Sequence, residues 1–218
     1  MAARHRLTLT FDNGPHPEGT RFVLRQLADR DLKATFFPVG DQIRRPGGRQ
    51  VLEEVAAAGH AIGNHSMTHT VPLGESPGPE TVRREISDMR HLLGELAGPE
   101  PLFRPFGGGG HLGPHLFSQE ALDHLVAERY TVALWNSVPR DWEDPDGWSE
   151  RALRDIGRRP WTLLVLHDPV EDAMRHLPAF LDRVLDDGVE ITAQLPPDCV
   201  PIRRGEITGD LGPLVTRT

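Results

Sequence analysis

Asp12 and Asn13 stand side by side in Thr10-Phe11-Asp12-Asn13-Gly14-Pro15, and His65 and His69 lie four positions apart. Each group follows a short apolar run, where a strand would end. Two imidazoles and a side-chain oxygen leave an open coordination position on Zn²⁺ or a similar ion, where water or a carbonyl can bind. Metal-bound water loses a proton near neutral pH, and a nearby carboxylate can then act as base. Asp12 is the candidate for that role. A leaving amine must be protonated, and His167 has the intrinsic pKa for it. Arg104 can hold Asp12 ionised and oriented, while Asp141 can raise the pKa of His167. The chemistry is that of a metal-assisted hydrolase.

Taken singly, these residues carry little. A His-x-x-x-His pair often binds nothing, and Asp-Asn-Gly-Pro is an ordinary turn composition. His167 alone is equally well a hydrogen-bonded core histidine, and Arg104 before Pro105 a structural arginine. Their joint occurrence, each after a different apolar run, is what carries the functional reading.

The elements that must position them alternate. Strand-length apolar runs occur at 7–11, 33–37, 61–64, 102–104, 131–135, 162–166 and 189–192, continuous as strands covered on both faces should be. Between them, residues 80–96 place Val82, Ile86, Met89, Leu93 and Leu96 on one helical stripe. Ser118 and Ser149 are expected to cap further helices. A last helix carries Met174, Leu177, Phe180, Leu181, Val184 and Leu185 and is closed by Gly188. Seven such repeats predict an α/β fold with a parallel sheet, closed or nearly closed into a barrel whose site lies at the strand C-termini. Residues 1–195 form that domain. Residues 196–218, with Pro196, Pro197, Pro201 and Pro213, read as an extended tail.

Composition excludes several classes. A chain of 218 residues with net charge −8 lacks the concentrated basic face that phosphate binding needs, so nucleic acid is not an expected partner. No apolar run approaches membrane-spanning length, so no membrane partner is expected either. Cys199 is the single cysteine, which excludes an intrachain disulfide and a thiolate metal cluster. No glycine-rich phosphate loop follows the first strand, against a dinucleotide fold. If Met1 is the natural start, there is no room for a signal peptide and the protein is expected in the cytoplasm.

These motifs resemble the polysaccharide deacetylase family, also described as the NodB-homology domain or carbohydrate esterase family 4. The likeness runs from about residue 7 to 195. Gly59-His-Ala-Ile-Gly-Asn-His-Ser-Met-Thr-His69 is a particularly close match, and Lys33 to Gly40, Phe103-Arg-Pro-Phe-Gly107, Arg140-Asp-Trp142 and the run from Leu163 to Asp168 correspond to further family stretches. The resemblance implies a distorted, TIM-like (β/α) barrel of about seven parallel strands. It also implies Asp12 as catalytic base, His167 as general acid, Arg104 and Asp141 tuning them, and Asn13, His65 and His69 as metal ligands. Phe106, Gly107, His111 and Trp142 are the candidate substrate-contacting residues, His111 on a glycine run expected to be mobile.

The sequence departs from the family pattern in three places. Asn13 replaces a carboxylate, so the site should hold a divalent cation, Zn²⁺ by expectation, weakly or not at all. The aromatic that usually precedes the glycine in the family is displaced, with Phe106 and a glycine run in its place, and Val138 stands where an Asp is usual. The leading expectation is a metal-assisted hydrolase that removes an acetyl group from a small or intracellular amino-sugar-type substrate. A rival enzyme reading is allantoinase-like opening of a non-sugar C–N bond, possible without metal. A third is a catalytically degenerate barrel that binds a ligand without turnover.

Overall fold

The computed structural model describes residues 5–216. Among them run nine short strands: β1 (Arg6–Asp12), β2 (Thr35–Phe37), β3 (Ala61–Ile62), β4 (Leu102–Phe103), β5 (Thr131–Val132), β6 (Trp161–His167), β7 (Glu190–Ile191), β8 (Ile202–Arg203) and β9 (Glu206–Ile207). β1 is the hub, pairing in parallel with β2, β6 and β7. Period-2 alternation divides its side chains. Leu7, Leu9 and Phe11 enter a core with Leu164 and Leu166 of β6 and the helices Gly19–Ala28, Gly48–Ala57, Trp148–Arg158 and Leu177–Asp186. Thr8, Thr10 and Asp12 face the other way. On β6, Leu163 and Val165 likewise face a second core with Phe103, Val132 and the helix Gln119–Ala127.

The hydrogen-bonded ladders make two sheets, β3-β2-β1-β6 with β7 added to β1, and β4-β5-β8-β9. Isolated parallel bridges, Asn64 to Phe103 and Ser137 to Leu164, link them. The expected α/β character and parallel strand order are therefore present, whereas one continuous closed ladder is not. Strand β3 is shorter than its apolar run because the Asn64 backbone leaves β2 and bridges to Phe103 of β4, its N–H donating to Leu102 O, while its side chain bonds its surroundings. Its Nδ2 donates to Ile86 O at 2.9 Å, and its Oδ1 accepts the Ser66 N–H at 2.9 Å.

Three local expectations need correction. Ser118 does cap its helix, accepting the Ala121 N–H at 3.2 Å, but Ser149 lies inside the turn that Trp148 opens after Gly147. The stripe over 80–96 is not one helix: it divides into Pro79–Val82, a π-helical turn Arg83–Asp88, Met89–Leu93 and a 3₁₀ turn Gly94–Ala97. The segment from 196 does not trail away. β8 pairs antiparallel with β5, Phe117 N–H donates to Leu214 O, and Cys199, Val200, Ile202 and Leu214 are buried. The prolines read as punctuation there, but Cys199, Ile202 and Leu214 need cover and find it in the second core. Residues 217–218 of that segment, and the first four residues of the chain, lie outside the described residues.

Candidate active site

Parallel register sets the site. Asp12 and His167 are partners at the C-terminal ends of β1 and β6, so the sheet itself delivers both side chains to one rim. They line a cavity of about 270 Å³ together with Asn13, His65, His69, Phe106, Gly107 and Trp142. His111 does not: it is exposed, and the cavity lining ends at Gly110. Arg104 and Asp141 are fully buried behind the cavity wall.

Asp12 is held from two sides. Arg104 Nη1 donates to its Oδ1 at 2.7 Å and to Thr10 Oγ1 at 2.7 Å, while Nε and Nη2 reach the carbonyls of Ala133 and Leu134. The guanidinium also lies 4.1 Å from the Phe37 ring centroid. A buried arginine satisfied this fully is a strut, and removing it would strand a buried carboxylate at a cost of about 3–5 kcal/mol. Oδ2 of Asp12 faces His65 Nε2 at 3.5 Å.

The His65–His69 loop turns tightly. His65 pairs through Nδ1 with the Arg104 carbonyl at 2.9 Å, which fixes that nitrogen as the donor and leaves Nε2 with a free lone pair. Burial drives His65 down to about 3, and burial followed by the neighbouring His65 brings His69 to about 3. Both rings are neutral at neutral pH, the form that can ligate a metal. Their centroids are 4.8 Å apart, and Phe106 packs 4.0 Å from His69. Positive φ at Asn13 (72°), Ser66 (70°), His69 (54°) and Arg140 (56°) puts four of the seven non-glycine left-handed residues among the described residues in the loops around the site. Asn tolerates that conformation well, which suits position 13 to the bend after β1.

Asn13 Oδ1 is buried without a protein partner. Beside two neutral imidazoles, an orphaned acceptor oxygen is what a cation would satisfy. Among the described residues no cluster of three or more His, Cys, Asp or Glu side chains is arranged to hold a metal. A divalent ion here must therefore draw on the Asn13 amide, and the donor set fits one without supplying charge.

Asp141 serves His167. Its Oδ1 pairs with His167 Nδ1 at 2.7 Å and its Oδ2 accepts the His167 main-chain N–H at 2.8 Å. Burial alone would pull the imidazole down; the charge and hydrogen bond of Asp141, joined by the charges of Asp12 and Asp168, outweigh it, and His167 is held above its ordinary value. With Nδ1 engaged, Nε2 is the nitrogen left to exchange a proton with substrate. Trp142 stands edge-on to the ring at 4.8 Å between centroids.

Glu85 escaped the sequence reading, and Asp168 entered it only as the end of the last family stretch, without a role. Glu85, buried in the π-helical turn, accepts the main-chain N–H groups of Met67 (3.0 Å) and Thr68 (2.9 Å) on Oε2, and the Thr68 hydroxyl (3.0 Å) on Oε1. It thus clamps the loop between the two histidines. Its signal was an acidic residue set on the apolar stripe between Val82 and Met89. Asp168, buried behind the first turn, accepts the Thr20 hydroxyl, and burial pushes its carboxyl up to about 7. Its carboxylate occupies the space a Cβ at position 14 would need, which makes Gly14 obligatory there. The glycine run is pinned rather than free: Trp135 Nε1 donates to Gly110 O at 2.8 Å, Arg140 Nη2 to Gly109 O at 3.3 Å, and the His115 ring pairs with Gly107 O at 3.1 Å.

A model of the polysaccharide deacetylase family matches residues 2–125. The chitooligosaccharide deacetylase of Sinorhizobium fredii is 32% identical over 167 residues, spanning 73% of this chain and 70% of that one. The chain belongs to the polysaccharide deacetylase family. By that membership it is a hydrolase acting on carbon–nitrogen bonds other than peptide bonds. The peptidoglycan-N-acetylmuramic acid deacetylase PdaC of Bacillus subtilis is 27% identical over 188 residues, 85% of this chain but 37% of that longer protein. Among solved structures, the T48 deacetylase with substrate superposes with a TM-score of 0.70 at 25% identity, covering 88% of this deacetylase-family chain and 89% of its own.

Proposed function

We propose that this protein removes an acetyl or related acyl group from the nitrogen of a small amino-sugar-type substrate, with a divalent metal held by Asn13, His65 and His69. The observation that carries this reading is the register pairing of Asp12 with His167 across one cavity. A base and an acid at adjacent strand ends can act on opposite sides of a single amide. The chitooligosaccharide and peptidoglycan deacetylases among its relatives support an N-acetylated sugar as the substrate class.

Asp12, oriented by Arg104, takes a proton from the attacking water as its oxygen adds to the acyl carbon. A bound divalent ion would supply Lewis acidity to the acyl oxygen and acidify that water. His167, kept protonated by Asp141, donates from Nε2 to the amide nitrogen as the C–N bond breaks. The products are a carboxylate and a free amine. Phe106, Trp142 and the glycine run line the cavity around the reacting amide.

The test is amine release from small N-acetylated amino sugars, with Zn²⁺ or Co²⁺ supplied and again with chelator. Release that metal raises and chelator abolishes supports the reading. Release indifferent to both leaves Asp12 and the histidines as a metal-independent acid–base set. A cytoplasmic location belongs to the same proposal and is read by fractionation. Among the described residues no helix is long and apolar enough to cross a membrane.

A further inference from the structure

Asp168 follows His167 directly at the end of β6, and it is buried. Successive residues there face opposite ways, so His167 enters the cavity while Asp168 points behind it, against the turn that carries Asn13. Two glycines make room for it. A Cβ at Gly14 would meet the Asp168 carboxyl, its three nearest neighbours all being atoms of that group, and a Cβ at Gly19 would meet the Asp168 carbonyl. Between them, Thr20 Oγ1 accepts the His16 main-chain N–H at 2.7 Å and donates its own proton to Asp168 Oδ2.

The turn is held from the opposite side by main chain. Asn13 N–H donates to Phe37 O at 3.2 Å, and Val39 N–H donates to Gly14 O at 2.9 Å. On the β6 side the contact is the Asp168 side chain. Stability does not explain a carboxyl in that place. Its Oδ1 is buried without a hydrogen-bond partner, beside Phe11, Phe36, Leu52 and Val55. A buried acid satisfied on one oxygen only, among apolar side chains, costs stability. Its contribution must therefore lie in what it holds in place.

We infer that Asp168 is a positioning residue: its side chain, wedged against Gly14, sets where Asn13 stands relative to His167. The inference rests on the amide-hydrolase reading above and adds to it a residue outside the cavity. Asp168 is bonded to His167 on one side and packed on the neighbour of Asn13 on the other, so one contact registers the acid with the metal-side amide. A shift of about 1 Å between such groups is enough to lower a rate by ~10²-fold.

The experiment exchanges volume across the contact in the full chain. Gly14→Ala, Asp168→Ala, the two combined, and Asp168→Asn are compared by calorimetric Zn²⁺ titration and by amine release from N-acetylglucosamine, normalised to folded protein. Each alanine variant alone should weaken Zn²⁺ binding by ~10–100-fold, the range for groups that support a metal's own ligands, and should lower kcat more than it raises KM. The double variant puts the new methyl into the space the carboxyl left, so it should bind Zn²⁺ more tightly than either single variant. Asp168→Asn keeps the shape and an acceptor for Thr20, and should recover most of what Asp168→Ala loses. If Gly14→Ala does not fold alone, Asp168→Ala against Asp168→Asn carries the same decision. Losses that add in the double variant overturn the inference, as does an Asp168→Ala protein of altered stability but unchanged Zn²⁺ affinity and kcat. If the wild-type protein neither binds Zn²⁺ nor releases amine, the hydrolase reading fails, and the main-chain amide resonance of Asn13 decides this one. A resonance displaced in Asp168→Ala and restored in Asp168→Asn upholds the wedge; one that stays in place overturns it.

Discussion

Asp141 grips His167 at two points, Oδ1 on the ring Nδ1 at 2.7 Å and Oδ2 on the main-chain N–H at 2.8 Å. One fully buried carboxylate therefore fixes both the ring's orientation and the strand end that carries it. Because His167 is held above its ordinary value, the protonated acid persists past the pH at which a free imidazole would lose its proton. Activity that needs that proton is lost as pH rises through the raised pKa. In Asp141→Asn the largest raising charge is gone, so the basic limb of the kcat/KM profile should move to lower pH. A profile that falls uniformly without moving would assign Asp141 to folding alone.

The leaving group reports on His167. His167→Ala should lower turnover of an amide by ~10²–10⁴-fold, because an amine departs poorly unless protonated. An activated ester, whose leaving group needs no proton, should lose far less. Equal losses on both substrates, with a fall in thermal stability, would return His167 to the role of a core histidine.

Much of this site was legible in the sequence because its chemistry sits at strand ends. Asp12, His65, Arg104 and His167 each follow an apolar run, and a parallel sheet brings such positions to one rim. What the sequence hid is what acts across space. Glu85 looked like one acidic residue on a helical stripe, yet its three hydrogen bonds to Met67 and Thr68 shape a loop 17 and 18 residues earlier in the chain. The glycine run read as mobile because its composition allows any backbone; side chains of Trp135, Arg140 and His115 take its carbonyls and remove that freedom. The segment from 196 misled for a similar reason, since proline frequency says nothing about the apolar residues between.

Glu85 and Asn13 should act on metal affinity in opposite directions. Glu85→Gln puts an amide donor among main-chain donors, loosening the loop that carries His65 and His69, and should weaken Zn²⁺ binding by ~10–100-fold. Asn13→Asp adds a negative charge to a donor set that has none and should tighten it. Calorimetric titration of both variants, with circular dichroism to confirm an intact fold, reads the two effects. Unchanged affinity in both would remove these residues from the metal site.

Acid should destabilise the metal-free protein early. His65 and His69 are lowered by burial to about 3 and His60 to about 4, so between those values and about 6.5 the unfolded chain binds protons that the folded chain refuses. Stability is then fully present above about 6.5 and falls as pH drops, by up to ~1.4 kcal/mol per pH unit for each histidine. Denaturant midpoints measured from pH 7 to pH 5 give the slope. A His65→Gln, His69→Gln double variant should flatten it; an unchanged slope would place the acid sensitivity elsewhere.

The central claim is that Asp12 is the base facing His167 across the cavity, and Asp12→Asn tests it most directly. The substitution keeps size and an acceptor for Arg104 but removes the carboxylate that takes the proton. Amine release from a small N-acylated amino sugar, measured with Zn²⁺ supplied and normalised to folded protein, should fall by ~10²–10⁴-fold. Wild-type turnover in the Asp12→Asn protein would contradict the account.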